Sequence, residues 1–282
     1  MFRGLFNFFL FSSIFIAICA AMMTWQANEI LLLQYDRYNF YGFVFFATLC
    51  SYNFHWYLTP GTIHQSERIS WGLRRRKLQL LGCGIGMIGA AWFFIPLWQH
   101  WLPISGAMFL TFLYSAPKVP HPAFAWLRKI AIGKTIFLSF VWTYVTTLLP
   151  ALVAGQAANA DVLYLTGHRF FLIYAICILF DYRDREADRK EGIRSLITYF
   201  DDNNLDKLYY GSVLLSALFA LLLAPAVPIF VLCSLIAPVA ITSMIKRYSQ
   251  EHTSDYVYYF YLDGLMMLSA LLHLVWMAAG GI

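Results

Sequence analysis

The chain has 282 residues, of which 60% are hydrophobic and 12% charged, against roughly 45–50% and about 25% in a soluble domain. It has too few polar side chains to cover a water-facing surface, so lipid must be its solvent. The net charge of +5 is gathered in loops between apolar runs, a distribution that points to a lipid bilayer and excludes nucleic acid as the partner.

A bilayer core of about 30 Å requires about 20 apolar helical residues. Hydropathy accordingly predicts an all-α membrane protein, a bundle of about nine transmembrane helices. The spans are expected at 5–25, 40–58, 78–98, 101–116, 133–154, 168–180, 208–225, 227–245 and 257–279. The sixth is short, and the fourth contains Pro103. No polar linker divides these runs, so residues 1–282 read as a single polytopic domain. The first span also suits a cleaved leader, with Arg3 ahead of an apolar stretch and small residues at Cys19-Ala20-Ala21.

Of the 20 lysines and arginines, all but Arg37 and Arg169 fall at the N-terminus or in the even-numbered loops. The positive-inside rule then puts the N-terminus in the cytoplasm of a multi-pass cell-membrane protein and the C-terminus outside. The five cysteines are widely spaced within apolar runs and have neither zinc nor redox spacing, so they read as small core residues.

The sixth loop runs Asp181-Tyr182-Arg183-Asp184-Arg185-Glu186-Ala187-Asp188 and reaches Gly192. If the sixth helix continues through it, Asp181, Asp184 and Asp188 occupy about 60° of arc on one face. Three carboxylates so placed repel one another unless a cation lies between them. Magnesium suits them: it takes oxygen ligands, keeps waters and shares its shell with substrate phosphate. Gly192, one turn beyond Asp188, would end the helix.

Together with Gly192-Ile193-Arg194-Ser195-Leu196, this segment resembles the second aspartate motif of the UbiA-type intramembrane prenyltransferases. That motif reads roughly D-x-x-D-x-E-x-D-x-x-x-G-x-x-T-L; Ala187 stands where glycine is common and Ser195 where threonine is. The resemblance implies a nine-helix fold with this motif after helix six. It further implies magnesium-dependent transfer of a prenyl group from a prenyl diphosphate to an aromatic or other lipophilic acceptor. Asp181, Asp184 and Asp188 would then be metal-binding and catalytic. Tyr114 and Lys118 fit the family's Y-x-x-x-K, which binds diphosphate, and Asn53 matches the leading residue of its first acidic motif, N-D-x-x-D-x-x-x-D.

The rest of that first motif is absent, since Phe54, Tyr57 and Gly61 occupy its aspartate positions. Two outcomes follow from its loss. Either one metal on the second motif is complemented by Lys118 and the Arg68/Arg74–Arg76 group binding phosphate directly, or the chain is a UbiA-like terpene cyclase or a non-catalytic isoprenoid-binding protein. His55 could add a donor or ligand, or simply pack at the interface beside Trp56 and Tyr57. Asp263, about 9 Å into the last span, must face the bundle or a wet cavity, as a site residue or in an interhelical hydrogen bond. Tyr256 to Tyr261 and Tyr209-Tyr210 read as interfacial aromatics, and Gly82, Gly84, Gly86 and Gly89 as a close-packing stripe. A transporter would need more polar residues within the spans than these.

Overall fold

The computed structural model describes residues 2–59, 66–119, 121, 124, 133–190 and 199–280, without the side chains of Phe2 and residues 186–190. Among the described residues every regular element is helical, as lipid demands of a backbone that must satisfy its own hydrogen bonds. In chain order they are α1 (Phe2–Phe11), α2 (Ile14–Ile30), α3 (Arg37–Tyr57), α4 (Glu67–Arg74), α5 (Arg76–Phe94) and α6 (Trp101–Ser115). There follow α7 (Lys134–Thr143), α8 (Leu149–Val153), α9 (Ala160–Lys190), α10 (Asp202–Leu222), α11 (Ile229–Glu251) and α12 (Asp263–Ala278). A 3₁₀ turn, Ile95–His100, joins α5 to α6, and π-helical turns at Tyr144–Leu148 and Val257–Leu262 lead into α8 and α12.

This is a multi-pass membrane bundle, and among the described helices the expected count of nine is not confirmed. Six are long and apolar enough to cross a bilayer, or seven if α1 and α2, bent by 56° at Ser12–Ser13, form one span. Helix α3 falls short because Asn39, Tyr41, Ser51, Asn53 and His55 dilute its apolar residues. The expected third and fourth spans merge into a 43-residue run, Arg76–Lys118, which if straight would extend about 65 Å. It folds back at Ile95–His100 instead. Gly82 near its start packs on Asn53, and Lys118 at its end meets His55, both in the last turns of α3.

Helix α9 also departs from expectation. It extends well beyond 168–180 at both ends, so Arg169 lies within the bundle instead of outside the membrane. Its guanidinium donates to the Thr146 carbonyl at 2.9 Å, the Met23 carbonyl at 2.7 Å, the Thr147 hydroxyl at 3.0 Å and Gln26 Oε1 at 3.2 Å. The Thr146 carbonyl is free because Pro150, four residues on, has no N–H to give it.

Helices α2 and α9 occupy the interior, with Ala17, Cys19, Ala27, Ala175 and Ile178 fully buried. Helix α5 lies antiparallel against α3 through glycines: a Cβ at Gly86 would sit 2.5 Å from the Cys50 amide nitrogen. The same contact brings the free thiols of Cys50 and Cys83 to 3.5 Å. The outer faces of α5 and α6 expose Ile88, Trp92, Trp98, Leu102 and Phe109, a lipid-facing surface.

Candidate functional site

At one end of the bundle the last turn of α3, helix α4, the end of α6, the start of α7, the C-terminal part of α9 and the π turn Val257–Leu262 converge. His55, near the end of α3, sets the geometry on one side. Its Nδ1 is 3.2 Å from the Ser115 hydroxyl, and its Nε2 is 2.7 Å from Lys118 Nζ. An ammonium has only donors, so Lys118 donates to Nε2 and the imidazole proton rests on Nδ1. Lys118 donates a second bond to the Thr59 hydroxyl at 2.6 Å, while Tyr114 lies flat on the imidazole, ring centroids 5.1 Å apart. The Y-x-x-x-K pair is thus mounted on His55.

Arg68, on α4, turns inward and is buried, its guanidinium 4.2 Å from the Trp56 ring centroid and 4.6 Å from that of Tyr259. Burial draws its pKa below the ordinary value, and the negative potential of Tyr259, Asp263, Tyr52 and Asp255 opposes that shift. Arg183, on α9, reaches the other side of the same tyrosine: its guanidinium lies 5.1 Å from the Tyr259 centroid and donates to the Tyr259 hydroxyl at 3.1 Å. Lys118 lies 5.5 Å from the Trp56 ring. Three cations from three elements therefore surround one pair of aromatic rings. Trp56 Nε1, Arg68 Nε and Arg183 Nη1 are buried there without a hydrogen-bond partner, which leaves donors for an anion to satisfy. A small pocket, with room for about one water, opens beside them, lined by Trp56, Thr59, Arg68, Arg76 and Gln79 among others.

The acidic residues face this cluster from α9, which is helical through Lys190, so the one-face expectation holds for Asp181 and Asp184. Asp181 accepts a hydrogen bond from the Thr135 hydroxyl. Asp184 pairs with Arg183 Nε at 2.9 Å and retains about 35% of its side-chain exposure. Both carboxylates lie in the electrostatic field of Tyr114, and Asp184 in that of Lys118. The side chain of Asp188, as well as Gly192 and Gly61, lie outside the described residues. Among the described residues no three His, Cys, Asp or Glu side chains gather as a metal cage. Two carboxylates on one face do fit a single magnesium ion, which keeps waters and takes phosphate oxygens for the rest of its shell. The α3 side does not fit a metal, because Phe54 and Tyr57 stand at its aspartate positions and Lys118 and Arg68 crowd the space.

Asn53 is elsewhere. Its amide donates to the Ser12 carbonyl at 3.0 Å and the Leu49 carbonyl at 2.8 Å and packs on Gly82, tying α3 to the α1–α2 bend and to α5. Arg183, next to Asp184 in the chain, pairs with it across the helix surface. Asp255 carried no signal in the sequence. Its carboxylate accepts from the Ser66 hydroxyl and the Arg68 amide, both at 2.8 Å, and lies 3.7 Å from Arg183 Nη1. Trp56 and Tyr259 were hidden among interfacial aromatics for the same reason: neither their spacing nor their type separates them from belt residues.

An all-helical, multi-pass membrane protein with carboxylates opposite fixed cations at one mouth of the bundle is therefore the class of molecule defined here. Residues 65–269 match the model of the UbiA prenyltransferase family, more than half of the chain, and the chain belongs to that family. No curated protein and no solved structure matches it.

Proposed function

We propose that this protein is an enzyme that transfers a prenyl group from a prenyl diphosphate to a lipophilic acceptor within the membrane, with magnesium at Asp181, Asp184 and Asp188. The observation that carries this reading is the meeting of Asp181 and Asp184 with Lys118, Arg68 and Arg183 at one mouth. By the distribution of basic residues that mouth faces the cytoplasm, with the N-terminus on the same side and the C-terminus outside.

Ionisation of an allylic C–O bond leaves both electrons on the departing diphosphate, so its rate depends on charge compensation where that negative charge grows. Magnesium, when bound, supplies part of that compensation from the α9 side. The protein supplies the rest in fixed form: Lys118 as a point charge held by His55 and Thr59, Arg68 and Arg183 as planar donors pinned against aromatic faces. Tyr259 and Trp56, besides holding the arginines, offer π faces to an allylic cation. The isoprenoid tail would run down between the helices, away from the polar mouth.

Asp184→Asn is expected to abolish magnesium-dependent pyrophosphate release, a loss of roughly 100-fold or more for a metal ligand in direct contact with the leaving group. Unchanged release from farnesyl or geranylgeranyl diphosphate by the purified variant would sink the proposal. Phe54 and Tyr57 at the aspartate positions favour a second reading, a cyclase or a binding protein. Product analysis separates these: transfer gives a prenylated acceptor, cyclisation a hydrocarbon or alcohol, and binding alone no pyrophosphate.

A further inference from the structure

Beneath the cations lies a carboxylate that the diphosphate clamp does not use. Asp263 begins α12 directly after the π turn that carries Tyr259. Its charge is felt by Arg68 and Arg183 at the mouth, and by Tyr52 and Cys177 deeper in the bundle. It is half-buried although Leu262, Leu265, Met266 and Met267 around it are buried. Among the described residues its carboxylate accepts no hydrogen bond and forms no ion pair within bonding range. Neither oxygen is among the buried atoms that lack a partner, so both remain accessible. The contact it does make, from the Cys19 thiol at 3.8 Å, is to its backbone carbonyl.

A carboxylate near the bilayer centre costs about 2.5–3.5 kcal/mol on insertion scales. An aspartate kept there for interhelical bonding would be bonded, and this one is not. The wall on the α3 side is Tyr52, whose hydroxyl accepts from Trp142 Nε1 at 2.9 Å, so the neighbouring polar groups are already engaged with one another. Among the described residues the Asp263 carboxylate is left to meet something that enters from the membrane.

Building on the prenyl-transfer reading, we infer that Asp263 is the base that removes the proton from the lipophilic acceptor. The C1–O bond of the prenyl diphosphate breaks and both electrons leave with diphosphate. An electron pair on the acceptor's nucleophilic atom forms the new bond to C1. The displaced proton goes to the Asp263 carboxylate and from there to water at the mouth. A base one turn beyond Tyr259, in the field of two arginines of the leaving-group site, is placed to collect a proton once a cation has been captured.

The test uses full-length protein with radiolabelled geranylgeranyl diphosphate, magnesium and a total lipid extract of the source membranes as acceptor supply. Wild type is expected to release pyrophosphate and form a prenylated lipid. Asp263→Asn should release pyrophosphate within about threefold of wild type, form at least about 100-fold less prenylated lipid and divert label to the prenyl alcohol. Asp263→Glu should partly restore transfer, and Asp263→Ser replaces the Asn variant if that does not fold. A merely structural role would not change this partition. Prenylated lipid at the wild-type rate in Asp263→Asn would overturn the role of Asp263 alone, as would loss of pyrophosphate release in that variant. Wild type yielding only prenyl alcohol or hydrocarbon would overturn the role of Asp263, because no acceptor proton would then be removed. Wild type releasing no pyrophosphate would overturn the underlying reading and this role with it.

Discussion

Lys118 and Arg68 owe their place at the mouth to neighbours that hold them there. Lys118 is a flexible side chain whose rotamer entropy is worth about 2 kcal/mol, and bonds to His55 and Thr59 restrict it before any ligand arrives. Lys118→Met should weaken binding of a prenyl diphosphate by roughly 10- to 100-fold, the equivalent of about 1.5–3 kcal/mol for a charged hydrogen bond. Isothermal titration in detergent would measure it, and an unchanged affinity would remove Lys118 from the site. Asp255 performs a similar service for Arg68. Its two acceptor bonds fix the first turn of α4, which faces the guanidinium inward. Asp255→Ala leaves those donors without a charged acceptor, at about 1–3 kcal/mol, and should lower the melting temperature by roughly 2–8 °C. Diphosphate affinity should fall with it, because Arg68 would lose its seat. A melting curve that superimposes on wild type would show that α4 is held by other contacts.

At the scale of elements, the α3–α5 pair and the two π turns determine where the site sits. Gly86 allows α5 to touch the α3 backbone at Cys50, and Gly84, two residues away, faces open space. The contrast gives a paired expectation. Gly86→Ala pushes a methyl group into a backbone that cannot yield locally and should destabilise the bundle by about 1–3 kcal/mol. Gly84→Ala should be neutral or stabilise by up to about 1 kcal/mol through helix propensity. Thermal unfolding of both variants in one detergent checks this, and equal effects would refute the close approach. The π turn at Tyr144–Leu148 precedes Pro150, and the carbonyl this proline leaves unbonded is taken by Arg169. The second π turn rotates Tyr258 and Tyr259 toward the interior, where Tyr258 donates to the Ser249 carbonyl at 2.7 Å and Tyr259 meets the two arginines. A π turn adds one residue to a helical circuit, so it shifts which side chains face inward. Hydropathy averages over such a shift and cannot register it.

On the scale of the whole molecule, an apolar chain with its basic residues confined to alternate loops could only be a multi-pass helical membrane protein, because lipid leaves the backbone no other way to satisfy itself. The second aspartate motif was legible for a related reason: helical periodicity places Asp181 and Asp184 on one face wherever the helix is packed. Composition and period are properties of the string, and they carried the fold class and the placing of Asp181 and Asp184 on one helix face, while the family came from the resemblance of the motif around them. The number and limits of the crossings were not so carried. The polar residues of α3, the fold-back at Ile95–His100 and the extension of α9 past Arg169 all depend on which neighbours receive them. The cationic half of the mouth was legible only in part: Lys118 and Arg68 were expected at a diphosphate, while Arg183 and the aromatic and acidic partners of these cations were not. Arg68, Lys118, Arg183 and the Asp255–Tyr259 stretch are four separate segments, and a sequence records no distance between them. Asp263 was visible as a charge in the last span, but only packing shows that among the described residues its carboxylate bonds to no neighbouring helix and remains accessible. A chain in lipid states by its apolarity what must be buried and by its period which side chains share a face; which faces meet is decided only when the helices close on one another.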